Sequence, residues 1–281
     1  MSKFIEIGNF SLILLFITNC LIEVSFFIKS SRGALLMRKT IGSALLIITL
    51  VGTFFSTSAH AKEYNDNTYA KNDLVGLGDS ITFGYNLGIN NDIPSNYAFP
   101  FLIGEYANLE VRDLGVPGWT TDDLLKAIKN DRNFRESVKQ AGYITLDIGN
   151  NDLIHTLKAT DDLKEFSEMI ELMVPILKNN LDEIIREIRK LNDAPIVMYN
   201  FYNPFQVTNQ PKHALSDQLL STIINPNIAI VADKYKNVKI ADAFSAFDEK
   251  QDTYVRKGDI HPTIAGQEVL ANIGKKALGI K

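Results

Sequence analysis

The chain has 281 residues, 46% of them hydrophobic and 22% charged, with a formal net charge of −4. That is a globular composition, long enough for one large domain with a sizeable core. The acidic balance gives no footing for nucleic-acid binding, and the absence of repeats and low-complexity runs excludes an array or a fibrous protein.

In chain order, the first 61 residues stand apart. Residues 1–36 carry an apolar run, Phe10 to Leu21, and read either as a membrane segment or as an extension from an upstream start. Residues 37–61 then repeat the logic of a leader: Arg38 and Lys39 form a basic start, Ile41 to Phe55 an apolar stretch, and Ala59-His60-Ala61 a small-residue cleavage site. This is a secretory signal peptide cut after Ala61; as a membrane anchor its apolar run is short of the roughly 20 residues a span needs. Cleavage leaves residues 62–281, with 24 basic and 31 acidic residues and a net charge of −7. The only cysteine, Cys20, lies in the removed part, which suits a secreted or cell-surface protein without thiols or disulfides. An uncleaved leader would leave it membrane-anchored.

Residues 62–72 are polar and read as loose. Beyond them apolar runs alternate with amphipathic stretches. Strands are predicted at Asp73–Leu77, Leu109–Leu114, Tyr143–Ile148, Pro195–Tyr199 and Val238–Ala241. Helices are predicted at Tyr97–Ala107, Thr121–Asn130, Leu163–Leu191, His213–Lys236 and Thr263–Leu278. Leu181, Ile184, Ile185, Ile188 and Leu191 recur at helical spacing and mark one buried face. Strand-helix-strand order implies an α/β domain over 62–281, with a parallel sheet covered by helices on both faces. Ligands of such sheets bind at the carboxyl ends of the strands.

Four unusual segments fall at that edge: GLGDSIT from Gly76, DLGVPGWTTDDL from Asp113, LDIGNNDL from Leu146 and GDIHPTIAGQ from Gly258. Each has an ordinary reading. Ser80 can be a helix N-cap, Asn151 a turn-forming residue and His261 part of a loop. Together and in this order they resemble the SGNH hydrolases, the GDSL esterases and lipases. The resemblance spans residues 73 to about 278 and implies a three-layer, flavodoxin-like α/β/α fold with a mainly parallel sheet of about five strands. It implies hydrolysis of carboxylic esters through an acyl-enzyme, with neither a cofactor nor a metal. It also implies a small-molecule or lipid ester as partner, with membrane contact only through such a lipid or the uncleaved N-terminus.

The chemistry has its own logic. A serine hydroxyl needs a base as it attacks, and histidine is best matched to that role near neutral pH. His155, His213 and His261 are the histidines beyond the leader. His213 opens a helix and reads as solvent-facing, and His155 could line the site. His261 precedes Pro262 at the mouth of the last helix and is the expected base for Ser80. An oxyanion needs preorganised donors: the backbone N–H of Ser80, the backbone N–H of Gly118 and the side-chain amide of Asn151. The resemblance selects Gly118 over Gly115.

The third triad member departs from the family pattern, which has Asp three residues before the histidine. Here that position is Gly258, and Asp259 lies two before His261. On an extended path an i, i+2 pair points to one side, so Asp259 is the expected acid, with a backbone carbonyl or Asp252 as alternatives. Ser80 is not in a G-x-S-x-G elbow. Trp119 and the aromatics of YNFYNPFQV, residues 199–207, either wall a substrate pocket or pack in the core. Two other readings compete: a metal-dependent phosphoesterase, for which three unpaired histidines supply few ligands, and a non-catalytic binding module on the same fold. Acyl length and oligomeric state are open.

Overall fold

The computed structural model describes residues 73–160 and 162–280. The segments 1–36, 37–61 and 62–72 therefore lie outside the described residues. The strands are β1 (Asp73–Gly78), β2 (Val111–Gly115), β3 (Ala141–Asp147), β4 (Ile196–Tyr199) and β5 (Val238–Ala241). They form one sheet in the order β2-β1-β3-β4-β5, with every pairing parallel. The helices are α1 (Ser80–Phe83), α2 (Phe99–Ala107), α3 (Thr121–Asn130), α4 (Arg132–Gln140), α5 (Asn150–Ala159), α6 (Leu163–Arg189), α7 (Gln210–Leu219), α8 (Asn225–Ala232), α9 (Ala243–Phe247), α10 (Gln251–Tyr254) and α11 (Ile264–Leu278).

Alternation along the strands divides the core in two. Val75, Leu77, Ile144, Leu146, Ile196 and Met198 face α3, α4, α6 and α8. Leu74, Val197 and Tyr199 face Phe99 and Ile103 of α2 and Leu270 and Ala271 of α11. The sheet is thus the middle of three layers. The expected stripe on α6 is buried: Leu181, Ile184, Ile185 and Ile188 are all at most 1% exposed. Each such burial is worth about 1.5–3 kcal/mol. The stripe therefore outweighs the roughly 3 kcal/mol that Pro175 costs inside the same helix.

The register positions the site. Gly78 pairs with Gly115 on one side and Asp147 on the other. Three strands thus end level, and the segments carrying Ser80, Gly118 and Asn151 leave the sheet side by side.

Several elements depart from the sequence expectation. The Asn-rich turn after β3 is helix α5, opened by Gly149 at φ 116°. Helix α4 was not expected; it is short, with Asp131 capping Phe134 N and only Phe134 and Val138 as buried apolar residues. The helix expected over 213–236 is helical throughout 210–232 but changes its ladder near Pro226, which has no N–H to continue it. A π-helical turn, Leu220–Ile224, absorbs the mismatch before α8 begins.

Candidate active site

Ser80 is the first residue of α1, immediately beyond β1. The cap of that helix is Asp79, whose Oδ1 accepts from Ile81 N at 2.9 Å. Ser80 is therefore not the N-cap, and its hydroxyl is free to face elsewhere. It faces His261: Ser80 Oγ lies 2.9 Å from Nε2. On the other side of the ring, Nδ1 lies 2.7 Å from Asp259 Oδ1. With Nδ1 protonated and donating to the carboxylate, the Nε2 lone pair accepts the serine hydroxyl.

The acid is reached by a different path from the one expected. The segment before His261 is a bend, not extended: Asp259 N donates to Arg256 O, and Gly258 takes φ 73°. Val255 and Pro262 close this loop as an isolated antiparallel bridge. Asp259 Oδ1 also accepts from Ile260 N at 2.7 Å. Burial works against charge on Asp259. The His261 ring and the N–H groups of Ile260 and His261 overcome it and hold the carboxyl below the ordinary aspartate value. Asp252 is exposed on α10, and neither it nor a backbone carbonyl takes Nδ1.

The N–H groups of Ser80 and Gly118 have no acceptor among the described residues. Gly118 has φ 84°, a conformation open to glycine but strained for other residues. Gly115, by contrast, is the buried end of β2 and spends its N–H on Asp113 Oδ1 at 2.7 Å. Asn151 Nδ2 donates to Trp119 O at 2.8 Å and lies 3.4 Å from Asp79 Oδ2. An amide has two hydrogens: one tethers Asn151 to the Gly118 segment, and the other makes the long 3.4 Å bond to Asp79 Oδ2, which it would have to leave to serve an oxyanion.

Supporting contacts that the sequence did not announce hold these segments together. Asp152 takes both the N–H and the hydroxyl of Thr121, joining the start of α5 to the start of α3. Asn180 of α6 donates to the same hydroxyl. Gln267 of α11, fully buried, donates to Ile81 O and accepts from Phe99 N, docking the last helix against the serine turn. Amide and carboxylate residues are common in every loop, so only their partners distinguish these.

Behind the serine, burial pushes the carboxyls of Asp79 and Asp147 well up, and the charge on Asp79 raises Asp147 further.

The remaining sequence candidates fall outside the cluster. His155 is exposed on α5. His213 is half-buried, with its Nε2 enclosed and unpartnered among the described residues, and is not the solvent-facing residue expected. Tyr199, Phe201 and Tyr202 are core residues, at most 6% exposed, so these three do not wall a pocket; Phe205, in the same run, is half-buried under Lys212. The aromatic beside the reacting groups is Tyr85, its ring 5.2 Å from that of His261. Trp119 stacks on Phe134 at 5.3 Å.

The GDSL-like lipase/acylhydrolase family matches residues 77–269. The chain is 27% identical over 238 residues to the uncharacterized protein YpmR of Bacillus subtilis (strain 168), covering 83% of this chain and 92% of that protein. It is 26% identical over 208 residues to the spore germination lipase LipC of Bacillus licheniformis, covering 69% of this chain and 91% of LipC. In fold it is similar to the lipase Lip_vut3 from a goat rumen metagenome, with a TM-score of 0.61 at 22% identity, over 73% of this chain and 97% of the other. With a family match over more than half of its length, the chain belongs to the GDSL-like lipase/acylhydrolase family and is a carboxylic ester hydrolase of the GDSL type.

Proposed function

We propose that the protein is a secreted serine esterase or lipase that works through an acyl-enzyme on Ser80. The observation carrying this reading is the continuous line Ser80 Oγ, His261 Nε2, His261 Nδ1, Asp259 Oδ1, with contacts of 2.9 and 2.7 Å. In the first half-reaction Ser80 Oγ attacks the ester carbonyl carbon as its proton passes to His261 Nε2. Asp259 holds the imidazole tautomer and stabilises the imidazolium. The carbonyl oxygen becomes an oxyanion facing the N–H groups of Ser80 and Gly118 and the amide of Asn151. Collapse releases the alcohol, which takes the proton from His261. Water then attacks the acyl-serine with His261 again as base, releasing the acid and restoring Ser80.

The substrate is a lipid, lysophospholipid or acetyl ester. The lipid side is supported by the lipase named among its relatives and by the apolar face that Tyr85 brings beside His261. Secretion rests on the leader at 37–61. It is tested by sequencing the amino terminus of protein recovered from medium: Lys62 is expected, and an intact leader in the membrane fraction overturns it.

A serine-directed phosphonate should abolish ester turnover and label Ser80, while a chelator should change nothing. Loss of activity to the chelator with Ser80 unlabelled would favour the metal-dependent phosphoesterase reading. A screen of acyl chain lengths beside an acetylated glycan separates the substrate classes.

A further inference from the structure

We infer that Tyr202 is a positioning residue for the His261 loop, an inference that rests on the serine-hydrolase reading above. Tyr202 lies three residues past the end of β4, outside the serine and oxyanion segments. Its hydroxyl donates to Ile260 O at 2.6 Å. Ile260 is the residue between Asp259 and His261, and its N–H is already held by Asp259 Oδ1 at 2.7 Å. Tyr202 thus fixes the far side of the peptide that carries the imidazole, so that both polar atoms of Ile260 are committed.

The anchor is rigid. The Tyr202 ring stacks on Phe247 with centroids 4.4 Å apart and planes at 17°, and Phe247 in turn meets Tyr254 edge-on. Tyr202 is 6% exposed. Burial, then the nearby Asp147, Asp79 and Asp259, push its phenol well above the usual range, so it remains a donor at any working pH.

The backbone beneath it is fixed as well. Asn225 accepts from Phe201 N and donates to Phe201 O, both at 2.9 Å, replacing the ladder that β4 has left. Asn225 follows directly on the π-helical turn, a feature that recurs at functional sites. Support therefore runs from α8 through Phe201 and Tyr202 to the base.

Tyr202→Phe deletes this hydroxyl and keeps the stacked ring. With a soluble aryl ester, kcat should fall about tenfold or more, approaching the roughly 10²-fold cost of a 1 Å misplacement, with KM unchanged. The rate of phosphonate labelling of Ser80 should fall by the same factor, because labelling needs the same base. Asn225→Ala should show the same split to a smaller degree, and it carries the test alone if Tyr202→Phe does not fold. A lowered Tm with kcat and labelling at wild-type level would mean a purely structural hydroxyl and overturn the inference. Failure of the wild-type protein to turn over esters or to label would instead overturn the serine-hydrolase reading.

Discussion

Asp259 Oδ1 lies 2.7 Å from His261 Nδ1 although a single residue separates them in the chain. Neighbours this close usually point apart or require an extended backbone. Here a turn at Gly258 folds the carboxylate back over the peptide that follows it. One oxygen gathers the N–H groups of Ile260 and His261 as well as the ring nitrogen. The acid is thus anchored by its own backbone, which is why an offset of two residues suffices.

That single-oxygen arrangement predicts an unequal pair of variants. Asp259→Asn keeps a neutral acceptor where Oδ1 stands, oriented by the Ile260 and His261 N–H groups, so kcat should fall by less than the roughly 10⁴-fold that this change costs in a serine protease triad, where the tautomer is wrong. Asp259→Ala removes the acceptor and should cost about 10⁴-fold, the scale on which triad acids act. Single-turnover acylation rates would measure both. Equal losses would show that the charge, and not the acceptor, does the orienting.

Ser80→Ala should leave Tm nearly unchanged, because the hydroxyl meets only His261 among the described residues. Ester turnover should fall by about 10⁴-fold or more. Turnover near wild type would move the nucleophile elsewhere.

Asn151→Ala removes one of the proposed oxyanion donors and should lower kcat by about 10²–10³-fold, with KM little changed. It also severs the 2.8 Å tie to Trp119 O, so a modest drop in Tm is expected alongside. A change confined to KM would make Asn151 a ground-state binding residue.

Asp113 offers a pH test on a carboxyl that the proposed reaction does not use. Burial raises its carboxyl to about 8, with the Gly115 N–H opposing more weakly. A folded-state value raised above the ordinary 3.8 means the folded protein keeps a proton that the unfolded chain releases. The contribution to stability is fully present below about 3.8 and is lost as pH rises towards about 8. Asp113→Asn keeps an acceptor for Gly115 and cannot ionise. Its Tm advantage over wild type should therefore widen from pH 4 to pH 8 and then level off; a gap independent of pH would contradict the assignment.

The parallel sheet was legible because its strands are short apolar runs separated by amphipathic helices. The Ser80, Gly118 and Asn151 segments were legible because they fall just after strands, and the His261 segment because it stands just before the last helix. The structure places Ser80 against His261 and Asn151 against the Gly118 segment, and it shows the Gly115 N–H already bonded to Asp113. The rest depended on tertiary partners. Gly149 hides the start of α5 among turn-forming residues, and Pro226 disguises a π-helical turn within an apparently continuous helix. Tyr202 and Phe201 carry the same aromatic signal whether they line a pocket or fill a core. Gln267 has no local signature, since its meaning lies in two backbone atoms 168 and 186 positions away.

The contact between Ser80 and His261 spans 181 positions, and it has a consequence in time. A chain made from its amino end exposes the serine long before the histidine exists, and a separation of this kind closes late and slowly. Because Gln267 ties α11 to the serine turn, even a chain that already contains His261 lacks the last lock until the final helix has docked. Synthesis and folding therefore impose their own delay on reactivity. A nascent chain that stops short of α11 lacks the Gln267 bonds to Ile81 and Phe99, so the proposed chemistry at Ser80 waits on the docking of that helix against the sheet.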